Sequence, residues 1–582
     1  MSLFRPRRLL LTLPFVALTA CEGGTLGDDD GDTDGGTNPN CPAQLPIVQA
    51  TCTDAACSSA TGTKAVGMVE LSADTANDWI VVSYVSSVLF ENDNPNIAYT
   101  KGTAGGLGGA KARVYDRPKA PVDPARLSAL NAEKIVRENA KDAVPARGEF
   151  NTGIRGRDIL PPNAIRQDTE CAATAPYCAG DSVCVDDGQQ RLCQSMLQIK
   201  WRDQNNPTQF ELVDATVRKV GAFGAIVTDD ADTVSDADIE ALSKRFEERI
   251  APLDHQFFGE PRDATGKDFD DNGVVMLFIT SRIAGFNPDI VGFFQATDLE
   301  DPAVNDASNG ADLLYLQPPG GAIDLDSISG TIAHEYQHLI NYYAKVINRQ
   351  SSQEAAWLDE GLATFAEDVT GYGADSFRNV STYMNEIGTT SLTGFGLVYT
   401  SEFEADSIER RGMAHLFLRY LYEQRGGATY GNGPADVTDN GGVALINGIV
   451  QSPDTSVETI TAAKTGRSLD AWLRDFYVAV AIDGAGYKDV SCNAMASFAD
   501  PETDAYTGFQ RGLDLRTSIS ASSGTIPFNG PLTSTFETEE TPVPSNGGEI
   551  RTINVASGVV TAAMGGPAED YEMGILAIPA TR

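Results

Sequence analysis

Two histidines, His334 and His338, stand four residues apart in the segment Thr331–Tyr343, and Glu335 follows the first of them. Four residues are about one turn of an α-helix, so both imidazoles leave the same face and can bind one ion. The carboxylate of Glu335 lies within reach of a water on that ion. The pattern therefore predicts a metal-dependent hydrolytic site carried by a helix.

The helix itself is predicted independently of the histidines. Asp324 and Ser327 supply capping side chains at its start. Apolar side chains recur at helical spacing along its buried face: Ile328, Ile332, Leu339, Ile340 and Tyr343. A short strand, Asp312–Leu316, precedes the helix, and we expect it at the edge of a sheet beside the cleft.

An earlier helix and an earlier strand are also predicted in this region. Ser235 is the expected N-cap of a helix with acidic residues in its first turn. The segment Val274–Thr280 is apolar along most of its length, which predicts a strand buried on both faces. Together they favour an α+β region that begins near Gln198.

An aspartate-rich turn, Asp268–Gly273, leads into that strand. Asp268, Asp270 and Asn272 have the spacing of a calcium-binding loop, but the twelfth position is Ile279, where an EF-hand has a bidentate glutamate. A polar turn is the favoured interpretation, and a Ca²⁺ site is the alternative.

The N-terminus has the features of an export signal. A basic cluster (Arg5, Arg7, Arg8) precedes the apolar run Leu9–Ala20, which is too short to span a bilayer. The run ends in Leu18-Thr19-Ala20-Cys21, which resembles a bacterial lipobox and implies acylation at Cys21 and anchoring in the cell envelope. An ordinary secretory signal is the alternative. Residues 22–40, rich in Gly, Asp and Thr, predict a flexible tether.

Charge and cysteine content fit an exported protein. The net charge of −38 disfavours nucleic acid and anionic membrane surfaces as electrostatic partners. Without Cys21, eight cysteines remain, an even number that predicts up to four disulfides. Four of them predict a small disulfide-stapled insert: Cys171, Cys178, Cys184 and Cys193. The other four are then expected to pair among themselves: Cys41, Cys52, Cys57 and Cys492.

A metal site of this kind needs a third protein ligand, and two glutamates downstream, Glu354 and Glu360, are candidates. Glu360 lies in the segment Trp357–Asp368, WLDEGLATFAED. HExxH followed about twenty residues later by W-L-x-E-G is similar to the glutamate zincins, and HEYQHLINY resembles most the hyicolysin-type metallopeptidases. This resemblance covers roughly residues 198–485.

The resemblance implies a zinc peptidase acting on protein or peptide substrates. His334, His338 and Glu360 would be the zinc ligands and Glu335 the general base. Glu360 is preferred over Glu354 because its flanking residues match the family motif.

The group that stabilises the oxyanion is left open by the sequence. Related glutamate zincins often use a Tyr or His on a following helix, but no tyrosine stands just before Gly412. His415, Arg411 and Tyr399 are candidates, and His415 can equally be a core residue. Asp368 and Thr364 are candidates for orienting the ligand imidazoles.

The expected fold is α+β, with a zincin-like catalytic domain flanked by β-rich regions. The expected divisions are a lipoprotein signal (1–21), an acidic linker (22–40), a β-rich N-terminal domain (41–118), a connecting segment (119–197) with the cysteine-rich insert (171–193), a catalytic subdomain (198–345), a helical subdomain (346–485) and a β-rich C-terminal region (486–582). Endopeptidase action is favoured over exopeptidase action. The alternative function is an inactive surface adhesin or scaffold with a peptidase fold, and the oligomeric state is open.

Overall fold

The computed structural model describes short N-terminal stretches and most of the chain after residue 168. The described ranges are 48–49, 63–72, 78–87, 96–102, 155–156 and 169–580, the last with gaps at 187–189, 204–205, 289, 322, 393–407, 486–496, 500, 522–523, 529, 531–533, 536–540, 544–545, 556–558 and 568–570.

The strands in chain order are β1 (Val48–Gln49), β2 (Thr63–Ser72), β3 (Asp78–Ser87), β4 (Asn96–Gly102), β5 (Arg155–Gly156), β6 (Val183–Asp186), β7 (Arg191–Gln194), β8 (Met196–Asp203), β9 (Asn206–Val220), β10 (Gly224–Asp229), β11 (Val275–Ile279), β12 (Gly292–Phe294), β13 (Leu313–Leu316), β14 (Ala428–Tyr430), β15 (Val437–Asp439), β16 (Glu502–Thr503), β17 (Gln510–Arg511), β18 (Ile519–Ala521), β19 (Gly524–Ile526), β20 (Ser534–Thr535), β21 (Thr541–Pro542), β22 (Gly548–Asn554), β23 (Val559–Pro567) and β24 (Tyr571–Pro579).

The helices in chain order are α1 (Asp236–Arg245), α2 (Ala251–Phe257), α3 (Arg282–Phe286), α4 (Leu325–Tyr342), α5 (Ala356–Thr370), α6 (Phe377–Asn385), α7 (Ile408–Gln424), α8 (Gly442–Val450), α9 (Ala462–Thr465) and α10 (Leu469–Ile482). A π-helical turn, Phe246–Ile250, joins α1 to α2, and a second one, Tyr343–Ile347, extends α4.

A seven-stranded mixed sheet organises the middle of the chain, in the order β12-β13-β11-β10-β9-β8-β5. Its centre is parallel, with β10 beside β11 and β11 beside β13. The short strand β12 pairs antiparallel with β13 and forms the edge next to α4. The strand at Leu313–Leu316 is therefore internal, and its prediction as an edge strand was wrong.

Both faces of this sheet are covered, as the apolar run before Thr280 predicts. Along β11, Val275 and Leu277 join the large core shared with the helices, whereas Met276 and Phe278 face a second apolar layer. The second layer contains β6 of the cysteine insert and an aromatic group of Trp201, Phe293 and Tyr315. Strand alternation thus places two separate cores on the two faces.

The predicted caps are confirmed. Ser235 accepts a hydrogen bond from the Asp238 N–H at 3.1 Å and caps α1. Asp324 accepts one from the Ser327 N–H at 2.8 Å and caps α4. Each cap satisfies one backbone donor that the first helical turn leaves without a partner.

Strands from the two ends of the chain share two further sheets. β3 lies between β22 and β24 in a five-stranded sheet, and β23 lies between β2 and β4 in a four-stranded one. Ile80, Val82 and Tyr84 of β3 join the large core. The N-terminal and C-terminal β-rich regions are thus interleaved.

Two disulfides staple the insert that precedes β8, and they pair Cys171 with Cys184 and Cys178 with Cys193. The remaining cysteines (Cys21, Cys41, Cys52, Cys57 and Cys492) lie outside the described residues, as do the predicted signal and tether. The α+β class agrees with the structure. Within the described part of the chain, no helix combines the length and hydropathy needed to cross a membrane.

Candidate metal centre

Three side chains converge where helices α4 and α5 meet. His334 and His338 lie on α4 and Glu360 on α5, and one donor atom of each lies within 4.8 Å of the others. All three are buried, Glu360 completely. The three residues that the sequence predicts as ligands therefore meet at one point, although they lie on two helices.

The spacing of these donor atoms fits a small ion with tetrahedral coordination. Nε2 of His334 is 3.4 Å from one carboxylate oxygen of Glu360, and Nε2 of His338 is 3.5 Å from the other. Zinc ligands about 2.0–2.1 Å from the metal lie about 3.3–3.4 Å from one another in a tetrahedron, so the distance to whichever single oxygen of Glu360 binds the ion fits this separation. Two imidazole nitrogens and a carboxylate are also a donor set that zinc prefers.

A carboxylate holds the outer nitrogen of the first histidine. Nδ1 of His334 lies 2.7 Å from Oε1 of Glu367, which is two helical turns beyond Glu360 on α5. Ser376 in turn donates a hydrogen bond to Oε2 of Glu367. With Nδ1 bound in this way, Nε2 of His334 is the nitrogen that faces Glu360, which is the arrangement a metal requires.

The second histidine also has a carboxylate near its outer nitrogen, although this contact lacks the geometry of a hydrogen bond. Nδ1 of His338 lies 3.0 Å from Oδ2 of Asp359, and the Asn341 side-chain amide donates to Oδ1 of the same carboxylate at 2.7 Å. Asp359 and Glu367 are the orienting residues that the sequence analysis missed. Two features of the sequence could have identified them. Asp359 directly precedes Glu360, and Glu367 follows Glu360 by two helical turns.

Glu335 is anchored to the edge of the central sheet. Its Oε2 accepts a hydrogen bond from the backbone N–H of Phe294, in β12, at 2.8 Å. The residue is buried, with 9% of its surface exposed. The hydrogen bond fixes one oxygen of this carboxylate, which follows His334 directly on α4.

Glu354, the competing ligand candidate, is engaged elsewhere. Its Oε2 lies 3.1 Å from Nζ of Lys345, and its Oε1 accepts from the backbone of Ala355 and Ser456. Both side chains of the Lys345–Glu354 pair are buried. The geometry favours Glu360 as the third ligand.

Arg411, on α7, lies directly against the cluster. Its Nη1 is 2.7 Å from Oε2 of Glu360, and its side chain is 16% exposed. Close packing of α5 on α7 makes this contact possible, because a Cβ atom at Gly361 would lie 3.0 Å from Cβ of Ala414. A larger residue at position 361 would push the two helices apart.

The other candidates from the sequence lie elsewhere or outside the described residues. His415 is fully buried, with Nε2 3.3 Å from Oδ2 of Asp368 and its ring stacked on Phe377, which matches the core alternative. Asp368 also accepts from Arg419 at 3.0 Å, so it serves α7 rather than the imidazoles. Thr364 is buried in α5. Tyr399 lies outside the described residues.

The buried charges around Asp368 explain its ionisation. Burial alone would raise its pKa, but Arg419 and His415 outweigh this and hold the pKa of the Asp368 carboxyl well below its ordinary value. The carboxylate therefore stays charged and ties α5 to α7.

Sequence comparison adds the class of protein to this geometry. An α+β protein in which two histidines and a glutamate could hold a metal ion fits a metalloprotease family, and a distant relative supports this class. That relative is the neutral metalloprotease ShpI of Staphylococcus hyicus, 25% identical over 240 residues. The match covers 40% of this chain and 49% of the relative, so the chain spans about half of that protein's length. No family model matches the chain.

Proposed function

We propose that the chain is a zinc-dependent peptidase whose ligands are His334, His338 and Glu360. The observation that carries the proposal is the convergence of these three donors beside a glutamate, Glu335, anchored to a sheet edge. Zinc in such a site polarises the scissile carbonyl and lowers the pKa of a water toward neutrality.

Glu335 is the proposed general base. Its Oε1 takes a proton from the attacking water and later delivers that proton to the leaving amine. The Phe294 N–H, 2.8 Å from Oε2, holds the carboxylate in one orientation during both transfers. Glu367 and Asp359 hold the two imidazoles so that their Nε2 atoms keep facing Glu360.

Arg411 is the proposed stabiliser of the oxyanion. Of the two candidates among the described residues, Arg411 lies against a ligand of the cluster, 2.7 Å from Glu360, whereas His415 contacts Asp368. Its guanidinium carries five N–H donors, so one can bind Glu360 while another faces the substrate. A donor aimed at developing negative charge in a site that excludes water contributes strongly to the rate.

The proposed substrate is a protein or peptide, cleaved in the interior of the substrate chain, since no motif for capturing a substrate terminus is evident.

We further propose export and lipid anchoring at Cys21 in the cell envelope. The basic and apolar segments before Cys21 and the two disulfides of the insert support export. Incorporation of a labelled fatty acid that is lost in Cys21→Ser tests the anchor.

Metal analysis tests the zinc site. The purified chain should contain one zinc, and His334→Ala should lose it while keeping its fold, judged by circular dichroism. Asp326→Asn is a control on the same helix, since that side chain pairs with Arg245 at 2.7 Å and lies about two helical turns before His334. A folded wild-type chain that takes up no zinc would overturn the proposal.

A further inference from the structure

A second group of acidic residues lies apart from the histidines, at the ends of two parallel strands. Asp268 and Asp270 precede β11, and Asp312 directly precedes β13, its neighbour in the sheet. One carboxylate oxygen of each lies within 4.8 Å of the others. The parallel pairing of β11 and β13 therefore brings three carboxylates together from positions far apart in sequence.

Two of the three residues are buried and Asp270 is half-buried. Asp268 is 7% exposed and Asp312 is 0% exposed, so the cost of removing their charge from water is high unless it is balanced. Arg262 supplies one positive charge, with Nη1 3.0 Å from Oδ2 of Asp268. One guanidinium against three carboxylates leaves an excess of negative charge.

The hydrogen bonds around the cluster fix the carboxylates but leave one oxygen open. Asp312 accepts from the Tyr343 hydroxyl at 2.6 Å and from the Phe269 N–H at 2.9 Å. Oδ2 of Asp268 accepts from the Gly273 N–H at 2.7 Å. Oδ1 of Asp268 is buried and makes no hydrogen bond. A buried carboxylate oxygen without a donor, close to two other carboxylates, is suited to a cation.

The donor set differs from the one the sequence indicated. The Asn272 side chain donates to Oδ2 of Asp270 at 2.7 Å and accepts from the Val274 N–H at 2.8 Å, so it closes the turn. Asp312 is instead the third residue with a carboxylate oxygen within 4.8 Å of those of Asp268 and Asp270.

The disulfide-stapled insert packs on the same turn. Gly273 has a φ of 90°, and a Cβ atom there would lie 2.9 Å from the ring of Tyr177. Arg191 donates to the carbonyl oxygen of Asp271, and its Nη1 lies 3.5 Å from the Asp271 carboxylate. The insert therefore holds the turn in the conformation that presents Asp268 and Asp270.

We propose that Asp268, Asp270 and Asp312 bind one Ca²⁺ ion. All three donors are carboxylate oxygens, which calcium prefers, whereas zinc prefers nitrogen and sulfur. Magnesium needs near-ideal octahedral geometry and keeps several waters, which suits a buried cluster less well.

The ion joins the turn to β13 and, through Tyr343, to the C-terminal end of α4, five residues beyond His338. Its role is to stabilise the region that carries the histidines, and it is independent of the proposed peptidase activity.

Calcium titration of the zinc-loaded full chain tests this site by calorimetry and thermal unfolding. We expect the wild-type chain to bind CaCl₂ and its unfolding midpoint to rise by about 3 °C or more at about 1 mM. Asp270→Asn should weaken the binding at least about tenfold and abolish the rise. Asp306→Asn is the matched control, because Asp306 is an exposed carboxylate on the loop before β13 and is not part of the cluster.

Two outcomes would overturn the proposal. One is the absence of calcium binding in the wild-type chain. The other is an equal rise in wild type and Asp270→Asn, which would assign the effect to general acidic surface. If Asp270→Asn does not fold, terbium luminescence of the wild-type chain decides. We expect terbium emission excited through Tyr343, and we expect this emission to fall when calcium displaces the terbium ion. Emission that calcium does not lower would contradict the site.

Discussion

Nδ1 of His334 lies 2.7 Å from a carboxylate oxygen of Glu367, although the two residues are on different helices and 33 positions apart. The contact leaves Nε2 of His334 as the ring nitrogen available to a metal. Helix α5 therefore carries both a proposed ligand, Glu360, and the residue that orients the ligand His334. The position of α5 against α4 therefore determines the site.

Replacing Glu367 should weaken metal binding without removing it. In Glu367→Gln the amide contacts Nδ1 of His334 without the negative charge that makes the imidazole a stronger donor. We expect zinc affinity to fall about 10- to 100-fold, measured by competition with a chelating dye. Glu458→Gln, at an exposed glutamate far along the chain, serves as the control. Unchanged affinity in Glu367→Gln would contradict the assigned role.

Arg411 should affect turnover more than metal content. Arg411→Ala removes the proposed donor to the oxyanion, and we expect kcat to fall about 10²- to 10³-fold while one zinc stays bound. The measurement is peptide hydrolysis together with metal analysis. Arg410→Ala, the neighbouring arginine on α7, should keep near-normal kcat. A normal kcat in Arg411→Ala would assign the oxyanion to another group.

The two glutamates considered as third ligand should respond in opposite ways. Glu354→Gln removes the carboxylate that pairs with buried Lys345, so we expect a loss of about 3 kcal/mol in the free energy of unfolding with zinc retained. Glu360→Gln should lose zinc. Urea unfolding and metal analysis of both variants decide, and zinc loss in Glu354→Gln alone would reverse the assignment.

His255 makes stability depend on pH. Burial, with a smaller effect from Arg262, lowers its pKa to about 4 from an ordinary value of 6.5, and its Nε2 lies 2.7 Å from the Tyr336 hydroxyl. Between these values the unfolded chain binds a proton that the folded chain does not, so stability falls as pH falls. The contribution is about 1.4 kcal/mol per pH unit at most.

His255→Gln isolates this contribution. The variant carries no titrating group at that position, so its loss of stability between about pH 6 and pH 4.5 should be smaller than that of wild type. Urea unfolding at a series of pH values measures the difference. Parallel curves for the two proteins would mean that His255 is not held neutral.

Local patterns in the sequence were sufficient for the helix of the site. The spacing of His334 and His338, the cap at Asp324 and the apolar stripe all act within one helix, where sequence separation and spatial distance are linked. These features depend on short-range physics, which one sequence expresses directly. Glu360 was chosen differently, by the resemblance of its flanking residues to a family motif, and its role as a ligand stays a prediction.

Features that depend on long-range pairing could not be predicted. The three-residue strand β12 is too short to show a periodic pattern, so the predicted strand Asp312–Leu316 was expected at the edge that β12 occupies. Asp312 joins Asp268 only because β11 and β13 are neighbours in the sheet. The pairing of β3 with β22 and β24 joins residues almost 500 positions apart, and no local pattern encodes it.

Peptide hydrolysis by Glu335→Gln, compared with wild type at equal zinc content, tests the central claim most directly. The amide keeps the size of the side chain but cannot take a proton from water. We predict that wild type cleaves casein or a peptide library, that the variant binds one zinc, and that its cleavage falls by at least about 10²-fold. Equal cleavage by both would contradict Glu335 as the base, and zinc binding without any cleavage by wild type would favour an inactive scaffold.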